Sequence, residues 1–239
     1  NIFNHHLNAN YFGKVFEKNK KSAIFIYKNY LKSLCNLLRI IGVNTNTIPV
    51  LDVLRKNTSK IIGSRSFSQN KEIVKILGDI TVRECQKHKI ISVIKHIPGH
   101  GCATQDSHIF LPKVNLSEKN LNLIDFFPFK SNSAKLAMTA HILFSKIDNK
   151  NVSTFSKKII NQIIRKKIGF KGILMSDDIS MKALKYDLIT NAQKSLEAGC
   201  NLVLYCAGNT NDNFKLIKSL PYIDKFTSKK TSEFYKFLR

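Results

Sequence analysis

The chain has 239 residues, 43% of them hydrophobic, with 39 Lys and Arg against 16 Asp and Glu for a formal charge of +23. That length fits one large α/β domain or two small ones, and that apolar content supplies a real core and excludes a disordered chain. No apolar run approaches the ~20 residues a membrane-spanning helix needs.

In chain order, Lys21 to Ile41 carries apolar residues at spacings of three and four, which reads as an amphipathic helix. Thr47–Val53 (TIPVLDV) is the first of five short apolar, β-branched runs. Ile73, Leu77 and Ile80 mark the face of a second helix, followed by the strand-like Ile90–Lys95 (IISVIK). Leu136–Leu143 (LAMTAHIL) is the third run, and Ile159, Ile160, Ile163 and Ile164 outline another helix with Gly169 at its C′ position. Gly172–Ser176 (GILMS) and Asn201–Cys206 (NLVLYC) complete the strands, with shorter helices over 190–198 and 213–219. The last stretch, Thr227–Arg239, is polar and basic and reads as a surface tail or a final helix.

The five runs are near-continuous rather than alternating, as in parallel strands covered on both faces. The βαβα alternation gives an α/β class with right-handed crossovers. Five strands suit an open sheet or the last five units of an eight-stranded barrel. No domain linker interrupts the chain, so a single domain over 1–239 is expected.

The start, Asn1-Ile2-Phe3-Asn4-His5-His6, has no signal-peptide n-region and h-region and no initiator Met. The expectation is that something was removed or that this chain is part of a longer one. Five cysteines (Cys35, Cys85, Cys102, Cys200, Cys206) form no C-x-x-C pair, which points to a reducing compartment rather than a disulfide scaffold. Cys200 and Cys206 read as small buried residues, and Cys102 as a thiol inside a histidine-bearing loop. The lysines are spread along the whole chain, without a basic block interleaved with aromatics. Specific nucleic-acid binding is therefore not expected; weak attraction to polyanions is.

Two polar clusters carry the chemistry. Lys95-His96-Ile97-Pro98-Gly99-His100-Gly101 leads to Asp106-Ser107-His108, and Met175-Ser176-Asp177-Asp178-Ile179-Ser180-Met181 follows the fourth run. Both sit at the C-terminal ends of strands, where parallel sheets meet ligands. Pro98, Gly99 and Gly101 keep the first cluster a loop. Lys95 beside the His96 imidazole suits hydroxyl or anionic substrate groups, or is a lysine snorkelling at the rim. His100 fits a packed loop residue. Asp106 and His108, two apart, project to one side, so the carboxylate can fix the tautomer and raise the basicity of His108 for proton transfer. Of the adjacent acids, one faces the centre of the rim and could be a nucleophile, while the other caps the following helix; alternatively both are capping acids. His96, His100, Asp106 and His108 are possible metal ligands, but Pro98-Gly99 breaks the helix on which H-x₃-H binds best, so no metal is expected.

K-H-I-P-G-H-G, D-S-H, L-P and M-S-D-D-I-S-M, in this order, resemble the bacterial β-N-acetylhexosaminidases of glycoside hydrolase family 3. I-P-V-L-D-V, G-S-R-S-F, M-T-A-H and A-G-C-N-L-V-L extend the likeness from about Tyr11 to Pro221. The resemblance implies a (β/α)8 barrel and a retaining mechanism without cofactor. Asp177 matches the nucleophile, His108 the acid/base with Asp106 as its partner, and Arg65, Lys95 and His96 the sugar-binding positions. It further implies N-acetylglucosamine β-linked to 1,6-anhydro-N-acetylmuramic acid as substrate, cytoplasmic, in cell-wall recycling. The D-Q-E-G-G-R-V-like segment that ends the family's third strand is not found here. The chain thus reads as an N-terminally incomplete catalytic domain, showing only the last five β/α units, with an exposed edge at Thr47–Val53 and poor solubility and little activity if used alone.

Overall fold

The computed structural model describes residues 7–107 and 109–238. Two helices open it, α1 (Ala9–Lys18) and α2 (Lys20–Ile40), each started by an asparagine whose side chain accepts a backbone N–H. Next come β1 (Thr45–Asn46), α3 (Lys71–Lys87) and β2 (Ile91–Ile97). A pair of two-residue strands, β3 (Lys113–Val114) and β5 (Leu143–Phe144), forms a small parallel ladder. α4 (Glu118–Leu123) and β4 (Leu136–Thr139) lie between them in sequence. A π-helix (Ile159–Ile168), β6 (Ile173–Asp178), α5 (Leu188–Ala198), β7 (Leu202–Leu204), α6 (Thr210–Ser219) and α7 (Lys225–Leu238) complete the chain.

The main sheet has the order β1-β2-β4-β6-β7, all parallel, and curls into a half-barrel. Side-chain alternation divides its two faces. Ile94, Ile97, Ala137 and Leu174 pack into the large core beneath the helices, with Leu77 of α3 and Ile160 and Ile163 of the π-helix. Ile91, Val93, Leu136, Met138 and Ile173 line the other face, where Phe234, Phe237 and Leu238 of α7 pack on them. The basic C-terminal stretch is therefore a final helix with an apolar side and not a surface tail. Lys89 and Lys135 hold its end, each with its ammonium over the Phe237 ring.

Three boundaries differ from the sequence reading. The first run, Thr47–Val53, is not itself a named strand: β1 is Thr45–Asn46, just before it, and the run is joined to β2 by one bridge from Val50 to Lys95. The register slips by one residue between them, Thr45 lying opposite Ile91 but Val50 opposite Lys95, where Lys95 N bonds Pro49 O at 3.2 Å and Leu51 N bonds Lys95 O at 2.6 Å. The third run divides at Ala140, because Leu143 leaves the sheet to bond Pro112 and pair with β3. The isoleucine-rich helix has π rather than α turns, and ends as expected at Gly169 with φ 81°. Cys200 is buried, whereas Cys206 is exposed, since it lies just past the end of β7.

Candidate active site

Ile173, Met175 and Asp177 share a strand face by alternation, so the apolar face of the half-barrel ends in a carboxylate at the C-terminal rim. Asp177 is 18% exposed at its side chain, and its Oδ2 lies 4.0 Å from His96 Nε2. Burial alone would raise its pKa; the neighbouring His96 and His141, the Asp178 N–H and Lys95 reverse this and hold it below the usual carboxylate value. Asp177 is thus an anion at neutral pH, poised at the strand end.

Asp178 points elsewhere. Its Oδ1 accepts from Ser180 N at 3.0 Å and Cys206 N at 3.1 Å, and its Oδ2 from Ser180 Oγ at 2.6 Å. It closes the turn after β6 and ties that turn to the end of β7. The next helix, α5, takes its cap from Asp187 instead.

Lys95 ends the same face of β2 as Ile91 and Val93. Burial lowers its pKa, as does nearby Arg65, while Asp177 and Asp52 oppose them. Arg65, in the 3₁₀ turn Gly63–Arg65, shares with Lys95 a cleft of ≈ 380 Å³ that Ser64, Val50 and Tyr30 also line. A larger concavity of ≈ 790 Å³ lies between α5, β7 and residues 220–227, and Asp177 does not line it. The convergent cations and carboxylates, not the volume, mark the candidate site.

Two residues that sequence reading passed over as acting groups complete it. Asp52, fully buried, accepts from His96 Nδ1 at 2.7 Å and from His100 N at 2.6 Å. Burial pushes its carboxyl upward, but His96 and His100 more than offset this and keep it ionised. His141, also buried, bonds Thr154 Oγ1 at 2.7 Å and the Asp178 carbonyl at 3.0 Å, bracing the backbone beside Asp177. The available signal was a charge inside an apolar strand, V-L-D-V, and a histidine at the end of M-T-A-H.

The glycine-rich loop is built against the segment after β1. A Cβ on Gly101 would stand 1.9 Å from the Val53 carbonyl oxygen. Thr58 Oγ1 bonds Gly101 O at 2.6 Å, Ser59 N bonds Ala103 O at 2.8 Å, and Arg55 pairs with buried Asp125 beneath the loop. His100, packed as expected, bonds Ser107 Oγ at 3.1 Å and so anchors the Asp106 turn, whose carbonyl accepts from Ile109 and Phe110. The Cys102 thiol is pushed well up by burial and Asp125, so it is not a reactive thiolate. The structure thus gathers Arg65, Lys95, His96 and Asp177 at one rim and puts Asp106 on the loop beside it. His108 lies outside the described residues. Among those described, no three His, Cys, Asp or Glu side chains form a metal-ligand group, and no helix is long and apolar enough to cross a membrane.

A parallel half-barrel with an anionic acid, a lysine and a histidine at its C-terminal rim is the arrangement in which barrel-type α/β domains build their sites. The family model described as "Glycosyl hydrolase family 3 N terminal domain" matches residues 21–229, and the chain belongs to that family. A Beta-hexosaminidase of Neisseria meningitidis serogroup C is 34% identical over 200 residues, 81% of this chain and 55% of the relative. One of Nitrosomonas eutropha is 31% identical over 199 residues, 81% of this chain and 57% of the relative. The crystal structure of native NagZ from Neisseria gonorrhoeae superposes with a TM-score of 0.86 at 28% identity, covering 97% of this chain and 67% of that one. A family 3 β-N-acetylglucosaminidase from Paenibacillus gives 0.80 at 26% identity, covering 90% and 43%. The chain spans about half the length of the curated relatives it matches.

Proposed function

We propose that the protein is a retaining β-N-acetylglucosaminidase, and that this chain supplies the last five β/α units of its barrel as a single catalytic domain. The observation that carries the reading is Asp177: an ionised carboxylate at the end of a central parallel strand, 4.0 Å from His96 Nε2 and beside Lys95. Asp177 attacks the anomeric carbon while His108, oriented by Asp106, gives its proton to the leaving oxygen. The C1–O bond breaks as the C1–Oδ bond forms. His108 then takes a proton from water, whose oxygen displaces Asp177 and frees the sugar. A histidine replaces the second carboxylate that most retaining glycosidases use. Arg65, Lys95 and His96 bind the sugar hydroxyls, and the chemistry needs no metal or organic cofactor. The substrate we assign is N-acetylglucosamine β-linked to 1,6-anhydro-N-acetylmuramic acid, in cytoplasmic peptidoglycan recycling.

The test is hydrolysis of 4-nitrophenyl N-acetyl-β-D-glucosaminide by the protein as encoded, including any segment its gene places before Asn1. Nitrophenol release should vanish in Asp177→Ala. His108→Ala should lose on the order of 10²–10⁴-fold on a sugar leaving group and much less on nitrophenol, which departs without acid help. A folded protein that releases nothing would overturn the catalytic reading in favour of a non-catalytic family member.

A further inference from the structure

Asp52 is fully buried, and it holds the His96 ring whose Nε2 lies 4.0 Å from Asp177 Oδ2. Its two oxygens are used differently. Oδ1 accepts the backbone N–H of His100 at 2.6 Å and that of His96 at 3.3 Å. Oδ2 stands 2.7 Å from His96 Nδ1. An ionised carboxylate only accepts, so Nδ1 must carry the hydrogen. The opposite nitrogen, Nε2, then faces Asp177 Oδ2 at 4.0 Å. His100 packs edge-on against His96, with ring centroids 5.6 Å apart.

We infer that Asp52 is a positioning residue: it fixes the proton of His96 on Nδ1 and the plane of the ring, so that Nε2 is presented to Asp177 and to the sugar hydroxyl beside it. The kinetic consequence rests on the glycosidase reading; the location of the proton does not. A carboxylate buried behind a histidine that touches the reacting groups sets which nitrogen is the donor, and outer partners of this kind commonly matter 10- to 100-fold.

Asp52→Asn makes this testable because its orientation is forced. The two backbone N–H groups need an oxygen where Oδ1 now sits, so the amide NH₂ must face His96 Nδ1. The ring must then offer a lone pair there and move its hydrogen to Nε2. Shape is kept and the tautomer is inverted.

The experiment is ¹⁵N NMR of the imidazole nitrogens at neutral pH, with the His96 signals assigned from their loss in His96→Asn, joined to kcat and KM on the nitrophenyl glycoside. The expected result is a protonated Nδ1 in the wild type, a bare Nδ1 in Asp52→Asn, and a fall in kcat/KM of roughly 10²-fold in that variant. His96→Asn should cost as much, and the double variant little more, since the two side chains act as one unit. A bare Nδ1 in the wild type overturns the inference even if Asp52→Asn fails to fold. So does an unchanged nitrogen pattern in the variant, or an inverted tautomer with unchanged kinetics. A wild type inert toward the glycoside instead overturns the glycosidase reading, while the nitrogen pattern still decides where Asp52 puts the proton.

Discussion

Asp177 and Asp178 are adjacent in sequence and opposite in surroundings. One is flanked by His96, His141 and Lys95; the other is consumed by Ser180 and Cys206. Asp177→Asn should lower kcat by ~10³-fold or more, as expected when a nucleophile is removed. Asp178→Asn should keep kcat within roughly tenfold but lose about 1–2 kcal/mol of stability through its turn bonds. Urea denaturation beside initial rates separates the two effects. His100 gives a pH prediction. Burial, then nearby His96, pushes its pKa down to about 4, whereas the unfolded chain titrates near the usual ~6.5. Between those values only the unfolded state holds the extra proton, so stability falls as pH drops through about 6.5 and this loss levels off below about 4. His141, also lowered by burial, adds in the same direction. Denaturation midpoints at pH 7 and pH 5 should differ less in His100→Gln than in the wild type; equal differences would exclude this origin.

At the scale of elements, the loop after β2 is the part the sequence announces best. Pro98, Gly99 and Gly101 mark it as irregular, and the close approach of Gly101 to Val53 shows why a side chain is not tolerated there. Gly101→Ala should cost about 1–3 kcal/mol by overpacking, and should reduce activity by displacing the turn that carries Asp106. The parallel main sheet and the rim positions of Lys95, His96 and Asp177 were legible because unbroken apolar runs ending in polar residues are typical of covered parallel strands, whereas the two-stranded β3–β5 ladder was not. Three other things were not. The pairing before Val50 slips by one residue and leaves β1 only two residues long, and hydrophobicity does not register such a slip. The role of Asp52 was hidden because its partners are about 45 residues away. In α7, Lys225, Lys229, Lys230 and Lys236 gave a basic reading that masked Phe234 and Phe237. Replacing both phenylalanines by Ser should expose the Ile91–Val93–Ile173 face. The expected sign is increased binding of a hydrophobic dye and a lower melting temperature.

At the scale of the molecule, the described sheet ends at β1 on one side and at β7 on the other, where Leu202, Val203 and Leu204 are half-buried. Such edges favour association unless covered. The +23 charge should add a salt-sensitive, sequence-independent adsorption to polyanions that disappears as ionic strength rises. The rim around Asp177 brings His96, His141 and Lys95 to one carboxylate at the strand ends. The most direct measurement is mass spectrometry of the protein after reaction with a fluorinated N-acetylglucosaminyl donor whose glycosyl-enzyme turns over slowly. A single sugar attached to the peptide containing Asp177, and no adduct in Asp177→Ala, is the expected result. Turnover with no covalent adduct and inversion at the anomeric carbon, or an adduct on another residue, would contradict Asp177 as the nucleophile.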